Sequence, residues 1–426
     1  MKLRKLYQLT LCCLLVVSYA CQDDDNIFEK SADERREELF DKASDLLTNA
    51  PSGWAIDYFA TPTSGGYNLL ATFDDQGTVS MAAYNKITNN TYIEQASRYK
   101  LGISSGPALI FETYNNVLHP FCDPDPNGNS LGGDFEFVIV DVSQDTIEFR
   151  GLRTFSKILL HRIPSGNTKE QYISKIKEME NMLFSAKSPD LQLVLEDPTA
   201  TTTYSITQNG NFILSLKRGD RETLWPFIIT EKGIRLYDSE RITGTSSYVF
   251  ELNDEKTALV STQDPLVRIT GPENLSTYIS QDKRLVWLLD RESMSDNMKV
   301  QYDKIVASCK VAPYNGTDIK LGLHYSVEEA SYAFFIEFKS GRRTYEGNLN
   351  FKYQAENNKS LSILSPSNVE GDANALIFYS TIEGYKEMYE LITNNYSLST
   401  PTPINPSSIR LENTQNNGHW FTVTRN

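Results

Sequence analysis

The 426-residue chain carries 55 acidic residues against 41 Lys and Arg, a formal charge of −14. That balance argues against nucleic acid or anionic lipid as a partner, because both select clustered cations. Five cysteines, three of them within the first 21 residues, exclude a disulfide-built fold, and the length suffices for two or three domains with cores of their own.

The N-terminus reads MKLRKLYQLTLCCLLVVSYACQDDD. Lys2, Arg4 and Lys5 make a positive n-region, Leu6 to Val17 an apolar h-region, and Ser18-Tyr19-Ala20 a small-residue approach to Cys21, the pattern of a secretory signal. The apolar run is shorter than the roughly 20 residues needed to span a bilayer. Cys21 stands where a bacterial lipobox places its cysteine, so residues 1–20 are expected to be removed and the Cys21 thiol to carry a diacylglyceryl anchor. Each buried methylene of such an anchor contributes about 0.8 kcal/mol to membrane attachment. The signal holds three basic residues and no acid, so its loss takes the net charge from −14 to −17. The next residues, Gln22-Asp23-Asp24-Asp25, resemble the acidic export tag of Bacteroidota surface lipoproteins, which implies an outer-membrane location facing the medium.

Ser31 to Asn49 has helical spacing: Leu39, Phe40, Ala43, Leu46 and Leu47 form one stripe, and Ser31 with Glu34 forms a capping box. From Trp54 to Ile163 the period changes. Eight short runs rich in Tyr, Phe, Ile and Val are separated mostly by turn residues, the signature of a meandering antiparallel barrel of lipocalin-like size. The partial alternation of Phe135 to Val140 predicts a strand covered on both faces. Asn167 to Ala186 returns to helix through Tyr172, Ile176, Met179 and Leu183.

Strands resume from Leu191 to about Ile269 in six runs, with Asn209-Gly210 as a hairpin signal. Ser276 to Asp303 is charged and reads as helix or loop. A third β-rich stretch covers Ile319 to Ser365, followed by a helix near Glu383 to Asn394, a Pro-rich surface loop STPTPINPSS and two closing strands. The order of a helix followed by strands recurs, without a residue-level repeat.

One stretch invites a metal. In DPDPNGNSLGGD, residues 123–134, Asp123, Asp125, Asn127 and Asp134 supply oxygens at EF-hand positions one, three, five and twelve, and Asn129 offers its carbonyl. Asp134 in place of Glu, Leu131 at position nine, Pro124 and Pro126 inside the loop, and strand-like flanks all depart from that pattern. Calcium is the only cofactor the sequence brings forward, and a polar hairpin loop is the competing reading. His119 and Cys122, with Glu112 upstream, are a fragment of a zinc set, but the other histidines sit in separate runs. Cys122 and Cys309 are open to one disulfide or to two buried thiols. There is no G-x-S-x-G, P-loop or dinucleotide fingerprint, so no catalytic residue is assigned.

Cys21 to Asp25, Ser31 to Arg35, Gly53-Trp54, Gly65-Gly66-Tyr67, Gly106-Pro107, Phe111 to Asn115, Leu118-His119 and Gly132 to Phe137 follow one another in an order that resembles a family of Bacteroidota surface lipoproteins classed as a domain of unknown function. The resemblance is strongest from residue 21 to about 165. Members are often encoded beside starch-utilisation-type TonB-dependent transporters and their partner lipoproteins, which implies an accessory role in nutrient capture.

The expected fold is therefore mainly antiparallel β with a few helices. A signal (1–20) leads into an anchor, acidic tether and helix (21–50), then a barrel-like domain (51–165) and a β-rich C-terminal region (166–426) open to division near 275–315. The expected function is non-catalytic binding of a glycan or peptide, as a lipid-anchored accessory of an outer-membrane nutrient-uptake system. The alternatives are a polymer-degrading hydrolase using paired carboxylates and a structural or adhesive envelope protein.

Overall fold

Ser31 starts the first described helix as the spacing predicts. Its hydroxyl accepts the Glu34 N–H and the Glu34 carboxylate accepts the Ser31 N–H, closing the capping box on α1 (Ala32–Thr48). A computed structural model describes residues 30–103, 106–124, 131–184, 191–197, 200–208, 212–241, 246–272 and 274–426. The signal, Cys21 and the Asn209-Gly210 hairpin lie outside these residues.

The eight runs after α1 are eight strands: β1 (Trp54–Phe59), β2 (Gly66–Phe73), β3 (Thr78–Ala83), β4 (Ile93–Ile103), β5 (Pro107–Phe111), β6 (Glu136–Val142), β7 (Thr146–Gly151) and β8 (Lys157–Arg162). They form a closed antiparallel barrel in which β1 pairs with β8, Trp54 opposite Arg162 and Ile56 opposite Leu160. α1 lies against β5 and β6, and the Trp54 indole N–H donates to the Leu47 carbonyl at 3.1 Å. β6 differs from expectation. Phe137 and Ile139 point inward, but Val140 is 43% exposed, so this strand is covered on one face along that stretch.

The barrel is filled. Tyr58, Phe111, Phe137 and Phe149 meet aliphatic side chains around a residual void of about 10 Å³, no more than one water needs. Aromatic rings in this interior are core, and the small-ligand cavity of a lipocalin is closed by them.

α2 (Lys169–Phe184) precedes a second closed barrel of β9 (Leu191–Asp197), β10 (Ala200–Gln208), β11 (Ile213–Arg218), β12 (Arg221–Ile229), β13 (Gly233–Arg241), β14 (Ser246–Leu252), β15 (Ala258–Ser261) and β16 (Val267–Thr270). β9 closes on β16 with Leu193 opposite Ile269. β15 and β16 escape the sequence reading because four residues are too few to establish a period.

α3 (Leu275–Gln281) precedes a third closed barrel: β17 (Trp287–Met294), β18 (Thr317–Ser326), β19 (Ser331–Ser340), β20 (Arg343–Asn357), β21 (Ser360–Leu364), β22 (Asn395–Ser399), β23 (Ser408–Asn413) and β24 (Trp420–Arg425). α4 (Asp296–Lys310) joins β17 to β18, while α5 (Ala373–Thr381) and α6 (Tyr385–Ile392) join β21 to β22. The segment read as helix or loop thus contains a strand between two helices. Asp290-Arg291-Glu292 break the apolar alternation of β17 and hide it.

The Pro-rich loop is also corrected. Ile404 and Asn405 are buried, and the Asn405 amide donates to the Leu183 carbonyl at 2.9 Å. A Cβ on Gly271, just past β16, would stand 1.8 Å from the Ile404 carbonyl oxygen. The loop is a packed joint between the second and third barrels, not a surface excursion.

Candidate functional site

The structure meets the calcium-like loop at its two ends. Asp123 is exposed and accepts the Tyr114 hydroxyl at 2.6 Å. Asp134 is buried, and its Oδ2 accepts the Thr154 N–H at 2.8 Å and the Thr154 hydroxyl at 2.6 Å. Both of its oxygens stand 3.3 Å from the Arg153 N–H. Gly151 makes room for this carboxylate, since a Cβ there would sit 2.3 Å from Oδ2. Asp134 is thus a latch between the start of β6 and the turn after β7. Asp125, Asn127 and Asn129 lie outside the described residues.

His119 and Cys122 are engaged separately. His119 Nδ1 accepts the Asn115 N–H at 3.0 Å, and its ring stacks on Phe135. Burial lowers its pKa, favouring the neutral form. Burial pushes the Cys122 thiol up to about 11, and Glu112 pairs with Lys100 at 2.7 Å. Cys122 and Cys309 are not joined in a disulfide. His161 faces Asp57, and His419 faces the Leu391 carbonyl and Asn297. Among the described residues no three His, Cys, Asp or Glu gather as a metal set.

A different constellation converges on the third barrel. His324 on β18, Glu346 and Asn348 on β20, and Asp372 at the N-cap of α5 face one open cleft of about 590 Å³, with Tyr325 and Glu328 on its rim. The Asn348 amide donates to Glu346 Oε1 and to Asp372 Oδ2, 3.0 Å each. Asp372 Oδ2 also accepts the Asn348 N–H at 2.8 Å, while Oδ1 accepts the Ala375 N–H at 2.8 Å and caps the helix. Asn348 Oδ1 is then left to accept, so His324 Nε2, 2.6 Å away, carries its proton toward it. The His324 ring packs against Phe335 at a 43° tilt, 4.6 Å between centroids.

Chemically, this is a row of oriented donors and acceptors at a wet mouth. Asp372 is committed to three internal N–H donors, which leaves Glu346, 43% exposed, as the more open carboxylate. The sequence reading missed the cluster. The available signals were the polar alternation Glu346-Asn348-Asn350 in a strand and Asp372 before an apolar run, a helix start.

A family model described as a domain of unknown function, DUF4302, matches residues 24–254. The chain belongs to the DUF4302 family. The matched DUF4302 stretch holds the first barrel and the second through β14, stopping short of β15 and β16. Asp123, Cys122 and Asp134 fall within it, whereas the His324 cluster lies beyond. The search of curated proteins found no match to the chain.

Proposed function

We propose that this DUF4302 protein is a lipid-anchored cell-surface protein that binds an extracellular ligand without cleaving it, as an accessory of an outer-membrane nutrient-uptake system. The observation that carries the binding reading is the open third-barrel cleft, whose carboxylates are held by Asn348 in an oriented hydrogen-bonding row. A polymer hydrolase needs a carboxylate free to attack or to move a proton. Asp372 is spent on capping α5 and on Asn348, so the geometry favours recognition over hydrolysis.

The anchor rests on the sequence around Cys21 and its acidic follower Gln22 to Asp25. On this reading the partners are the outer membrane, a TonB-dependent transporter with its partner lipoprotein, and a glycan or peptide ligand. Expression of the full chain and of Cys21→Ala in a Bacteroidota host, with labelled fatty acid and protease treatment of intact cells, tests the placement. The account expects label and protease sensitivity for the full chain and neither for Cys21→Ala. An unlabelled, protected full chain would refute it.

A further inference from the structure

We propose that the cleft between the second and third barrels is a binding site for a neutral polyhydroxylated ligand, a saccharide, engaged by Arg268 and Thr270. The inference rests on the binding reading above and gives it a second place and a ligand class.

β16 alternates cleanly. Val267 and Ile269 point into the second barrel, fully buried, so Arg268 and Thr270 share its outer face. Thr270 is nevertheless only 6% exposed, and its hydroxyl has no hydrogen-bond partner among the described residues. Arg268 Nε is likewise buried and without a partner among the described residues, although the far end of the same guanidinium pairs with Glu196. Buried unpartnered polar atoms are few in native proteins, and each costs about 1–3 kcal/mol. Two of them, two residues apart on one strand face, line the same cleft of about 420 Å³. That volume lies within the roughly 300–1,000 Å³ of small-molecule sites.

The chemistry of the walls selects the ligand. Arg268 is already neutralised by Glu196, and among the described residues the cleft also holds one further cation, Lys359, and one further acid, Glu255. Lys359 and Glu255 are both exposed, so these two charges recruit neither a cation nor an anion strongly. An N–H that needs an acceptor beside a hydroxyl that can donate or accept suits a ligand hydroxyl, which does both. Leu398 and Pro403 supply an apolar wall for the C–H face of a sugar ring, and Ser399 and Thr400 add hydroxyls beside it.

Thr270→Val preserves shape and removes a hydroxyl that has no internal partner, so the fold should be retained. Arg268→Lys keeps the charge opposite Glu196 and removes Nε. Purified protein lacking residues 1–20 is titrated by calorimetry and by melting with maltohexaose, cellohexaose, xylohexaose, mannohexaose, a glucuronic-acid oligosaccharide and a hexapeptide mixture. The expected result is that at least one neutral hexaose raises the melting temperature. Both variants should bind it about tenfold more weakly, and unliganded Thr270→Val should melt at or above the wild-type temperature. Wild-type affinity in both variants would overturn this site and leave the broader binding reading standing. Preference for the acidic sugar or the peptide, lost in the variants, would overturn the ligand class. No saccharide binding at all would sink the site together with glycan capture.

Discussion

The Tyr58 hydroxyl holds both backbone polar groups of Asp134, donating to its carbonyl and accepting from its N–H, each at 3.1 Å. Both residues are buried, and Gly133 lets them meet, since a Cβ there would stand 2.2 Å from the Tyr58 oxygen. Tyr58→Phe strips partners from two buried backbone groups and should lower stability by about 2–4 kcal/mol. Urea unfolding of the pair of proteins measures it, and a change below about 0.5 kcal/mol would show that this contact does not hold the loop.

Calcium should leave the melt unmoved. Asp134, position twelve of the loop, already receives the Thr154 N–H and hydroxyl and faces the Arg153 N–H. A cation would have to displace these donors. A site filled at 100 times its Kd would add about 2.7 kcal/mol, several degrees in melting temperature. The comparison is a melt in millimolar calcium against EDTA.

The two thiols should be silent in the native state. Burial pushes Cys122 up to about 11 and Cys309 up to about 12, so the neutral form dominates near pH 8. A folded pKa raised above the ordinary value of 9 gives stability present below pH 9 and lost as pH rises through the folded values. A thiol reagent at pH 8 should therefore titrate both only after denaturant is added, and stability should fall above pH 9.

Acid should loosen the first barrel where Glu94 meets Lys169. Burial works against its charge, but hydrogen bonds from Lys169, Ser80 and Tyr92 hold the Glu94 carboxyl down at about 2. The sign follows from a depressed carboxyl: its contribution is present above the ordinary pKa of 4.5 and disappears as pH falls toward 2. Glu94→Gln should flatten the stability profile between those values, by a modest amount because the side chain is 40% exposed. A profile identical to wild type would remove Glu94 from the account.

What the sequence disclosed and what it hid divide along physical lines. The first barrel was legible strand by strand, because each of its runs is five residues or longer, most are fenced by turn residues, and one face is apolar. β15 and β16 were too short for a period, and the charges at Asp290 to Glu292 masked β17. α5 was missed because ALIFYST is apolar on all sides, and a helix without a polar face has no stripe to read. The Pro-rich loop looked like solvent chemistry, yet Ile404 is fully buried by a close approach to Gly271 that no local pattern encodes. The candidate sites were hidden for the same reason. His324, Glu346 and Asp372 come from three distant elements, and the unpartnered atoms of Arg268 and Thr270 are visible only once the third barrel covers that strand of the second.

The central claim, recognition without cleavage, is tested most directly by one paired measurement. Protein lacking residues 1–20 is incubated with soluble starch, xylan, galactomannan and mixed-linkage glucan, scoring retardation in polysaccharide-containing native gels and new reducing ends in the same samples. The account predicts retardation by at least one polysaccharide with no reducing ends above the protein-free control. Steady release of reducing ends, abolished by Glu346→Gln, would contradict it and make this cleft a hydrolase.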